Sequence, residues 1–248
     1  MERKVIDVSK HNGVIDWAKV AADGVDGAII RAGYGKVASQ KDPCFEDNYS
    51  GAKAAGLNVG AYWYSYATTV DDAKTEAAVF IDCIKGKQFG LPVYLDIEDK
   101  TQVALGKSLC TGIAVAFMTA LENAGYFAGV YSYDSFFATN LEETLRKRYA
   151  VWVARVENVT PTYATEWGMH QYSWKGTIDG ISGDVDLNRC IKDYPTIIKN
   201  AGLNGYSAAS SAGYSVTAKI SDCAEAQAST IAAACSQMGM TAVVSEGG

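Results

Sequence analysis

The feature that most constrains the fold is an alternation of short β-branched or aromatic runs with helical stretches along most of the chain. Near-continuous apolar runs such as Gly27–Ala32 are typical of parallel strands that helices cover on both faces. The predicted strands are Lys4–Ser9, Gly27–Ala32, Asn58–Ala67, Pro92–Glu98, Phe127–Tyr133, Tyr149–Val156, Met169–Trp174 and Asp184–Asn188. The predicted helices are Trp17–Ala22, Phe45–Ala55, Asp71–Ile84 and Ser108–Ala124.

Eight strand candidates within about 200 residues favour a closed β/α barrel over an open sheet. Helical patterns are weak in the second half, so we expect an irregular TIM-like α/β barrel over residues 1–203. Neither Gly-x-Gly-x-x-Gly nor Gly-x-x-x-x-Gly-Lys-Ser/Thr occurs, so a nucleotide-binding fold has no motif support. We expect no cofactor.

The composition changes after Leu203. Residues 204–213 are small and polar, which is typical of a linker. Residues 214–248 read as a small β-α-β appendage, with strands at Tyr214–Ile220 and Thr241–Ser245 around a helix at Ala224–Gln237. A piece of about 35 residues cannot bury its own core. We therefore expect this module to pack on the barrel, to join two chains as a homodimer, or to be part of a larger module.

Charge and hydropathy exclude several classes of partner. The formal net charge of −6 argues against a nucleic-acid surface. No run of about 18 apolar residues is present, so no membrane insertion is expected. The first residues lack the apolar core of a signal peptide, so either the usual export signal is not used or it has been trimmed.

The histidines and cysteines give little support for a metal site or a nucleophilic triad. His11 and His170 are the only histidines and lie far apart in the sequence. None of the six cysteines forms a Cys-x-x-Cys pair, so zinc spacing is absent. We expect buried free thiols, with one or two disulfides left open if the protein works outside the cell.

Carboxylates at strand ends are the strongest chemical signal. Asp96 and Glu98 alternate with apolar residues at the end of a buried strand, so both should face the barrel axis near its C-terminal mouth. Asp99 should point the other way, as a solvated loop residue. Asp7 ends the first strand and Asp186 lies on the last, which neighbours the first in a closed barrel. The recurrence of acids at three strand ends predicts one catalytic mouth.

Clustered carboxylates without a His or Cys partner suit glycoside cleavage. The leaving oxygen needs a proton, and the cationic transition state needs negative charge nearby. Crowding raises carboxyl pKa values, so that one acid can stay protonated near neutral pH. A hydrolase that uses a divalent metal ion could employ the same acids, and it remains the main alternative mechanism.

Aromatic side chains near the strand ends predict a sugar-binding surface. Tyr62, Tyr64 and Tyr66 share one face of the third strand. Other rings near strand ends are Tyr34, Tyr131, Trp152 and Trp174. Hydroxyl-bearing rings at a mouth can stack on sugars and hydrogen-bond to them.

A series of short motifs runs in one order through residues 4–193. They are Ile6-Asp7-Val8-Ser9, Arg31-Ala32-Gly33-Tyr34-Gly35, Asp42-Pro43-x-Phe45-x-x-Asn48-Tyr49, Gly51-Ala52-Lys53-x-Ala55-Gly56, Val59-Gly60-Ala61-Tyr62, Leu95-Asp96-Ile97-Glu98, Val151-Trp152-Val153-Ala154-Arg155, Gln171-Tyr172-Ser173 and Val185-Asp186-Leu187-Asn188. In these motifs the chain resembles the glycoside hydrolase family 25 lysozymes, the N-acetylmuramidases of phage endolysins and bacterial autolysins. It departs from their pattern at Trp63, where His is frequent, and at His170, where Trp is common.

The resemblance implies an irregular β/α barrel that cleaves the β-1,4 bond after N-acetylmuramic acid in peptidoglycan, with retention. It implies Glu98 as general acid, Asp96 as its partner, and Asp7 and Asp186 as residues that shape charge and hold substrate. The substrate-binding residues expected are Tyr34, Tyr62, Tyr64, Tyr131, Trp152 and Gln171. The enzyme would act on the cell wall, outside the cell or after release from a host cytoplasm, and residues 214–248 would be a wall-binding module. No metal is expected, because no His or Cys ligand accompanies the acids.

Three alternatives use related chemistry. A non-catalytic wall-binding protein on the same barrel would normally lose the acid, whereas Glu98 and Asp96 are both present. A chitinase-type barrel shows Asp-x-x-Asp-x-Asp-x-Glu on one strand, but Pro92 and Tyr94 stand where its earlier acids should be. A polysaccharide deacetylase would need two His near an Asp.

Overall fold

Eight strands close into a barrel in which each strand pairs with the next in the sequence and the last pairs with the first. The computed structural model describes residues 2–157 and 159–207. The strands are β1 (Arg3–Val8), β2 (Gly27–Tyr34), β3 (Asn58–Tyr64), β4 (Val93–Asp96), β5 (Ala128–Tyr133), β6 (Ala150–Ala154), β7 (Met169–Gly176) and β8 (Val185–Cys190). The predicted barrel and its eight strands are confirmed, with ends that shift by a few residues.

Helices follow most of the early strands and become short or absent later. They are α1 (Trp17–Ala22), α2 (Phe45–Ala54), α3 (Val70–Ile84), α4 (Lys100–Val103), α5 (Lys107–Asn123), α6 (Asp134–Thr139), α7 (Glu143–Arg148) and α8 (Tyr194–Ala201). Gly56 and Gly125 follow α2 and α5 with φ angles of 80° and 83°. Only glycine adopts this left-handed conformation at little cost, so these residues end the helices where the sequence predicts.

The direction of the last strand differs from the expectation of a parallel sheet. Pairs from β1–β2 to β6–β7 are parallel, but β8 runs antiparallel to both β7 and β1. The connection from Gly176 to Val185 contains too few residues for the crossover that a parallel neighbour needs. As a result the beginning of β8, rather than its end, lies at the rim where the parallel strands end.

Two apolar layers hold the barrel together. The outer layer lies between strands and helices, where Trp63 stacks on Phe80 and Phe80 packs on Phe117. The inner layer fills the barrel below the mouth, where Trp152 contacts the rings of Tyr94 and Tyr131. These large buried rings fill the barrel interior below the mouth.

The predicted linker begins too early. Asn204 is fully buried; it accepts a hydrogen bond from the backbone of Phe127 and donates to the carbonyls of Phe89 and Leu91. Residues 204–207 therefore belong to the barrel. The rest of the predicted linker and the C-terminal β-α-β module lie outside the described residues.

Four cysteines are free thiols within the described part of the chain, namely Cys44, Cys83, Cys110 and Cys190. The other two, Cys223 and Cys235, lie outside it. None of the helices in residues 2–157 and 159–207 is long and apolar enough to cross a membrane.

Candidate active site

A cavity of about 360 Å³ opens at the rim where the parallel strands end. Most of its walls are polar, and four of its lining residues are acidic. The lining residues are Ser9, His11, Asn12, Arg31, Tyr62, Tyr64, Asp96, Glu98, Tyr131, Trp152, Asp184 and Asp186. Seven of these twelve were predicted as site residues from the sequence.

Asp96 and Glu98 face the cavity together, as the strand alternation predicts. Asp96 is the last residue of β4 and is almost fully buried, while Glu98 follows in the loop and is partly exposed. One oxygen of each carboxyl group, Oδ1 of Asp96 and Oε2 of Glu98, is buried without a hydrogen-bond partner among the described residues. Buried carboxyl oxygens are normally paired, so two unpaired ones in the same cavity wall mark this pair as a candidate for chemistry.

The electrostatics of this pair favour one shared proton near neutral pH. Burial raises the pKa of Glu98 to about 7, although hydrogen bonds from the hydroxyls of Tyr133 and Tyr131 oppose the rise. Burial and the neighbouring Glu98 also raise the pKa of Asp96, while the Arg31 guanidinium favours its charged form. Two close carboxyls resist double ionisation, so the pair retains a proton near neutral pH.

Asp7 lies beneath the cavity rather than in its wall. Its Oδ2 accepts hydrogen bonds from Gln171 Nε2 at 2.9 Å and from Asn188 Nδ2 at 2.7 Å. Burial raises the pKa of Asp7, and these two amide donors oppose the rise. The register pairs Asp7 with Asp186, and burial together with the Asp7 charge raises the pKa of Asp186 to about 8.

An amide network connects Asp7 to the aromatic floor of the cavity. Asn188 Oδ1 accepts a hydrogen bond from Trp152 Nε1 at 2.7 Å. Gln171 Oε1 accepts from the Tyr131 hydroxyl at 2.8 Å and from Trp174 Nε1 at 3.0 Å. Gln171 is therefore placed as a support of Asp7 and Tyr131, and it does not line the cavity.

The predicted aromatic residues occupy different places. Tyr62, Tyr64 and Tyr131 line the cavity, and Trp152 forms its floor although it is only 1% exposed. Tyr34 lies in an adjoining smaller cavity together with Tyr66. All six rings therefore lie within or beside the mouth.

Asp99 has more partners than a solvated loop residue would have. It caps α4 by accepting a hydrogen bond from the Thr101 backbone at 2.9 Å, and it accepts another from the Tyr64 hydroxyl at 3.2 Å. It does not line the cavity, as the strand register predicts. The expectation of a merely solvated side chain is therefore wrong, because helix α4 begins directly after Asp99.

Glu76, which the sequence analysis missed, is a buried carboxyl that supports the rim. This α3 residue accepts hydrogen bonds from Ser65 Oγ at 2.5 Å and from the Tyr66 backbone at 2.9 Å. Burial raises its pKa. The sequence does place this acid on the inward face of an apolar helix. That position indicates a buried carboxyl, which requires hydrogen-bond partners.

Arg31 was quoted only as part of a motif, yet it lines the cavity. It is the one charged residue in the apolar strand β2, which is a signal that sequence reading could have used. The two departures from the family pattern lie elsewhere. Trp63 packs in the outer layer, and His170 is buried with Nε2 against the Arg155 carbonyl at 2.7 Å.

Comparisons with known proteins show the family of the chain. A model of the family described as glycosyl hydrolases family 25 matches residues 6–181, so the chain belongs to this family. An autolytic lysozyme of Clostridium acetobutylicum is 33% identical over 187 residues, which are 75% of this chain and 55% of that protein. The chain thus spans little more than half the length of this relative.

Two solved structures are also similar. The CTP1L endolysin superposes with a TM-score of 0.68 at 27% identity, over 80% of this chain and 70% of that one. A bacterial lysozyme from Streptomyces coelicolor superposes with a TM-score of 0.65 at 25% identity, over 80% of this chain and 96% of that one. Four fifths of this chain therefore correspond to nearly the whole length of a protein named lysozyme.

Proposed function

We propose that this family 25 member is a muramidase that cleaves the β-1,4 bond between N-acetylmuramic acid and N-acetylglucosamine in bacterial peptidoglycan. The observation that carries the proposal is the Asp96–Glu98 pair, which lines one cavity, has raised pKa values and includes two buried oxygens without a hydrogen-bond partner among the described residues. The relatives named lysozyme and endolysin support the choice of substrate.

In the first step Glu98 donates its proton to the glycosidic oxygen while the bond from that oxygen to the anomeric carbon breaks. A general acid works best when its pKa lies near the working pH, and burial brings Glu98 to about 7. The charge on Asp96 stabilises the cationic transition state. Asp96 also orients the substrate's own acetamido group, whose carbonyl oxygen attacks the anomeric carbon from the opposite face.

In the second step the deprotonated Glu98 takes a proton from water, whose oxygen attacks the anomeric carbon and opens the acetamido-derived ring. Two inversions give retention of configuration. Asp7 and Asp186 hold negative charge and one shared proton beside this centre, because burial and mutual repulsion raise the pKa of Asp186 to about 8. Tyr62, Tyr64, Tyr131 and Trp152 contact the sugar rings.

The products of digested walls test this function. Purified walls would be digested, the new reducing ends reduced with borohydride, and the resulting sugar alcohols identified. We expect the alcohol of muramic acid. The alcohol of glucosamine would identify a glucosaminidase, free amino groups an amidase or peptidase, and no new ends a binding protein. Retention is tested separately by NMR detection of the first anomer formed.

We also propose that the chain acts at the cell wall and that residues 208–248 increase attachment there, as a wall-binding or dimerising module. The sequence pattern of that segment is its support. Truncation after Ser207 keeps the buried Asn204 contacts and should preserve cleavage of soluble wall fragments while weakening attack on intact walls. Equal attack on intact walls, together with a monomeric full-length protein, would contradict both roles.

A further inference from the structure

A second cavity of about 220 Å³ adjoins the acidic one and differs from it in charge. It is lined by Lys10, His11, Arg31, Tyr34, Tyr64 and Tyr66, and so contains two cations and no carboxylate. His11, Arg31 and Tyr64 line both cavities. We call this space the cationic side cavity. A ligand in the acidic cavity can extend into it without leaving the protein surface.

One buried acid positions the Arg31 side chain and the main chain of Lys10. Asp42 has a fully buried side chain, and its Oδ2 accepts hydrogen bonds from Arg31 Nε at 2.8 Å and from the Lys10 backbone at 3.1 Å. Its Oδ1 accepts from the Cys44 backbone at 2.9 Å. Asp42 therefore positions the Arg31 guanidinium and the Lys10 main chain together, which reduces the entropy that binding would cost.

Arg31 uses only part of its hydrogen-bonding capacity. Its Nε pairs with Asp42, whereas its two terminal amino groups donate to no acceptor among the described residues. The side chain is 14% exposed, so it is largely held in place yet open to the cavities. A guanidinium fixed at one edge presents a fork that matches a carboxylate.

Aromatic rings form the remaining wall. Tyr66 contacts Tyr34 edge-on at 6.1 Å and Tyr64 at 5.0 Å between ring centroids. The Tyr64 hydroxyl is engaged with Asp99. The wall thus offers apolar surface beside the cations, which suits a carboxylate carried on a short organic arm rather than a bare inorganic anion.

We propose that the cationic side cavity binds a carboxylate that the substrate carries next to the cleaved bond. The inference rests on the proposed function, because muramyl residues bear a lactyl arm that ends in a carboxylate or continues into an acidic stem peptide. Four carboxyls around the reaction centre would repel such an anion. Lys10 and Arg31 draw it to one side and thereby fix the direction in which the glycan lies.

Binding of defined glycans to the Glu98→Gln protein tests this proposal without cleavage. The probe is a tetrasaccharide of alternating N-acetylglucosamine and N-acetylmuramic acid with free lactyl carboxylates, compared with its methyl ester by calorimetry. A second pair carries stem peptides with the acidic side chain free or amidated. We expect about tenfold tighter binding of the free acid in at least one pair, and the pair identifies the source of the carboxylate.

Lys10→Gln should reduce this preference to about twofold or less while leaving binding of the neutral ligand unchanged. Arg31→Gln should also lower the preference, but Arg31 lines the acidic cavity as well, so only Lys10→Gln is expected to leave binding of the neutral ligand unchanged. Lys10→Gln serves alone if unpairing Asp42 prevents folding. Lys74→Gln, an exposed lysine of α3 outside both cavities, is the matched control and should keep the full preference.

Equal binding of acid and neutral ligands, or a preference that survives the Lys10 and Arg31 changes, would overturn the proposal. If walls are nevertheless cleaved at muramic acid, the proposed function stands. Failure of every tetrasaccharide to bind, together with no muramic acid ends from walls, would overturn both.

Discussion

The two halves of the barrel differ in regularity, and they contribute different kinds of side chain to the active-site mouth. From β2 to β5 the strands are parallel and helices α2, α3 and α5 intervene between them. From β6 to β8 the described residues include no helix between consecutive strands, and β8 is antiparallel. The regular half carries Asp96 and Glu98, whereas the closing half carries the amides that hold Asp7.

This difference suggests that the two halves have different roles in the site. The groups proposed to react lie at the end of β4, where helix-covered strands fix the backbone on both sides. In the closing half, Gln171 and Asn188 join β7, β8 and β1 through Asp7. We expect changes in the regular half to remove chemistry and changes in the closing half to weaken chemistry and stability together.

Glu98→Gln should have the largest effect. Gln is similar in shape but cannot donate the proton that the leaving oxygen needs, so wall lysis should fall about 10²–10⁴-fold. Turbidity loss of purified walls measures it, and circular dichroism checks the fold. Lysis within a factor of two of the unmodified protein would refute the assignment of Glu98.

Asp96→Asn should cost a similar factor, because the amide cannot stabilise a developing cation. Asp99→Asn is the matched control three residues along the chain. Asn is also a good N-cap, so α4 keeps its start and activity should fall less than about threefold. Equal losses at both positions would show that facing the cavity is not what distinguishes them.

The pH profile of kcat/KM should fall about tenfold per unit above a midpoint near 7. Glu98 must be protonated to act, and burial sets its pKa at about 7, so activity is present below this value and lost as pH rises through it. The initial rate of release of soluble fragments between pH 4 and 10 gives the midpoint. A fall that begins only above pH 9 would exclude Glu98 as the acid.

The free energy of unfolding should also decrease as pH rises through the pKa of Glu98. The folded pKa of Glu98 lies above its ordinary value of 4.5, so the fold binds the proton more tightly than the unfolded chain does. This contribution is complete below pH 4.5 and is lost as pH rises to about 7. Glu98→Gln should therefore show a smaller drop in Tm between pH 5 and 8 than the unmodified protein.

Asn188→Ala tests the closing half. It leaves Asp7 Oδ2 with one amide donor and Trp152 Nε1 without its acceptor, so we expect a loss of about 1–3 kcal/mol in unfolding free energy and about tenfold in kcat. Asn204→Ala is the control, because Asn204 is equally buried but bonds at another part of the barrel. It should lower stability similarly and leave kcat nearly unchanged.

Removal of metal ions should have the smallest effect. The proposed acid and base steps use only carboxyl groups, so EDTA at millimolar concentration should leave initial rates within experimental error. Activity that is lost in EDTA and restored by one divalent ion would support the competing metal-hydrolase chemistry.

The sequence predicted the barrel because apolar strand runs that alternate with helical stretches indicate buried strands covered by helices. It missed the direction of β8, which depends on the length of one connection, and it assigned Asn204 to a linker. The sequence around Asn204 is small and polar, but that side chain is buried to satisfy backbone groups of two neighbouring segments. Hydrogen bonds between a side chain and distant backbone groups leave no pattern in the local sequence.

At the mouth, strand alternation predicted the placement of Asp96 and Glu98 and the exclusion of Asp99 from the cavity. It could not predict that Asp7 and Gln171 lie beneath the surface, because that depends on how the inner rings fill the barrel. Arg31 was identifiable as a charge within an apolar strand. Its partner Asp42 lies eleven positions further along the chain, and only the fold brings the two together.

A titration of the Glu98 carboxyl tests the central claim most directly. The carboxyl carbon of uniformly ¹³C-labelled protein can be followed by NMR from pH 3 to 9, with its signal assigned by its loss in Glu98→Gln. The account predicts a midpoint near 7, because burial raises this pKa. A midpoint near the ordinary value of 4.5 would mean that Glu98 is ionised at neutral pH and cannot be the proton donor.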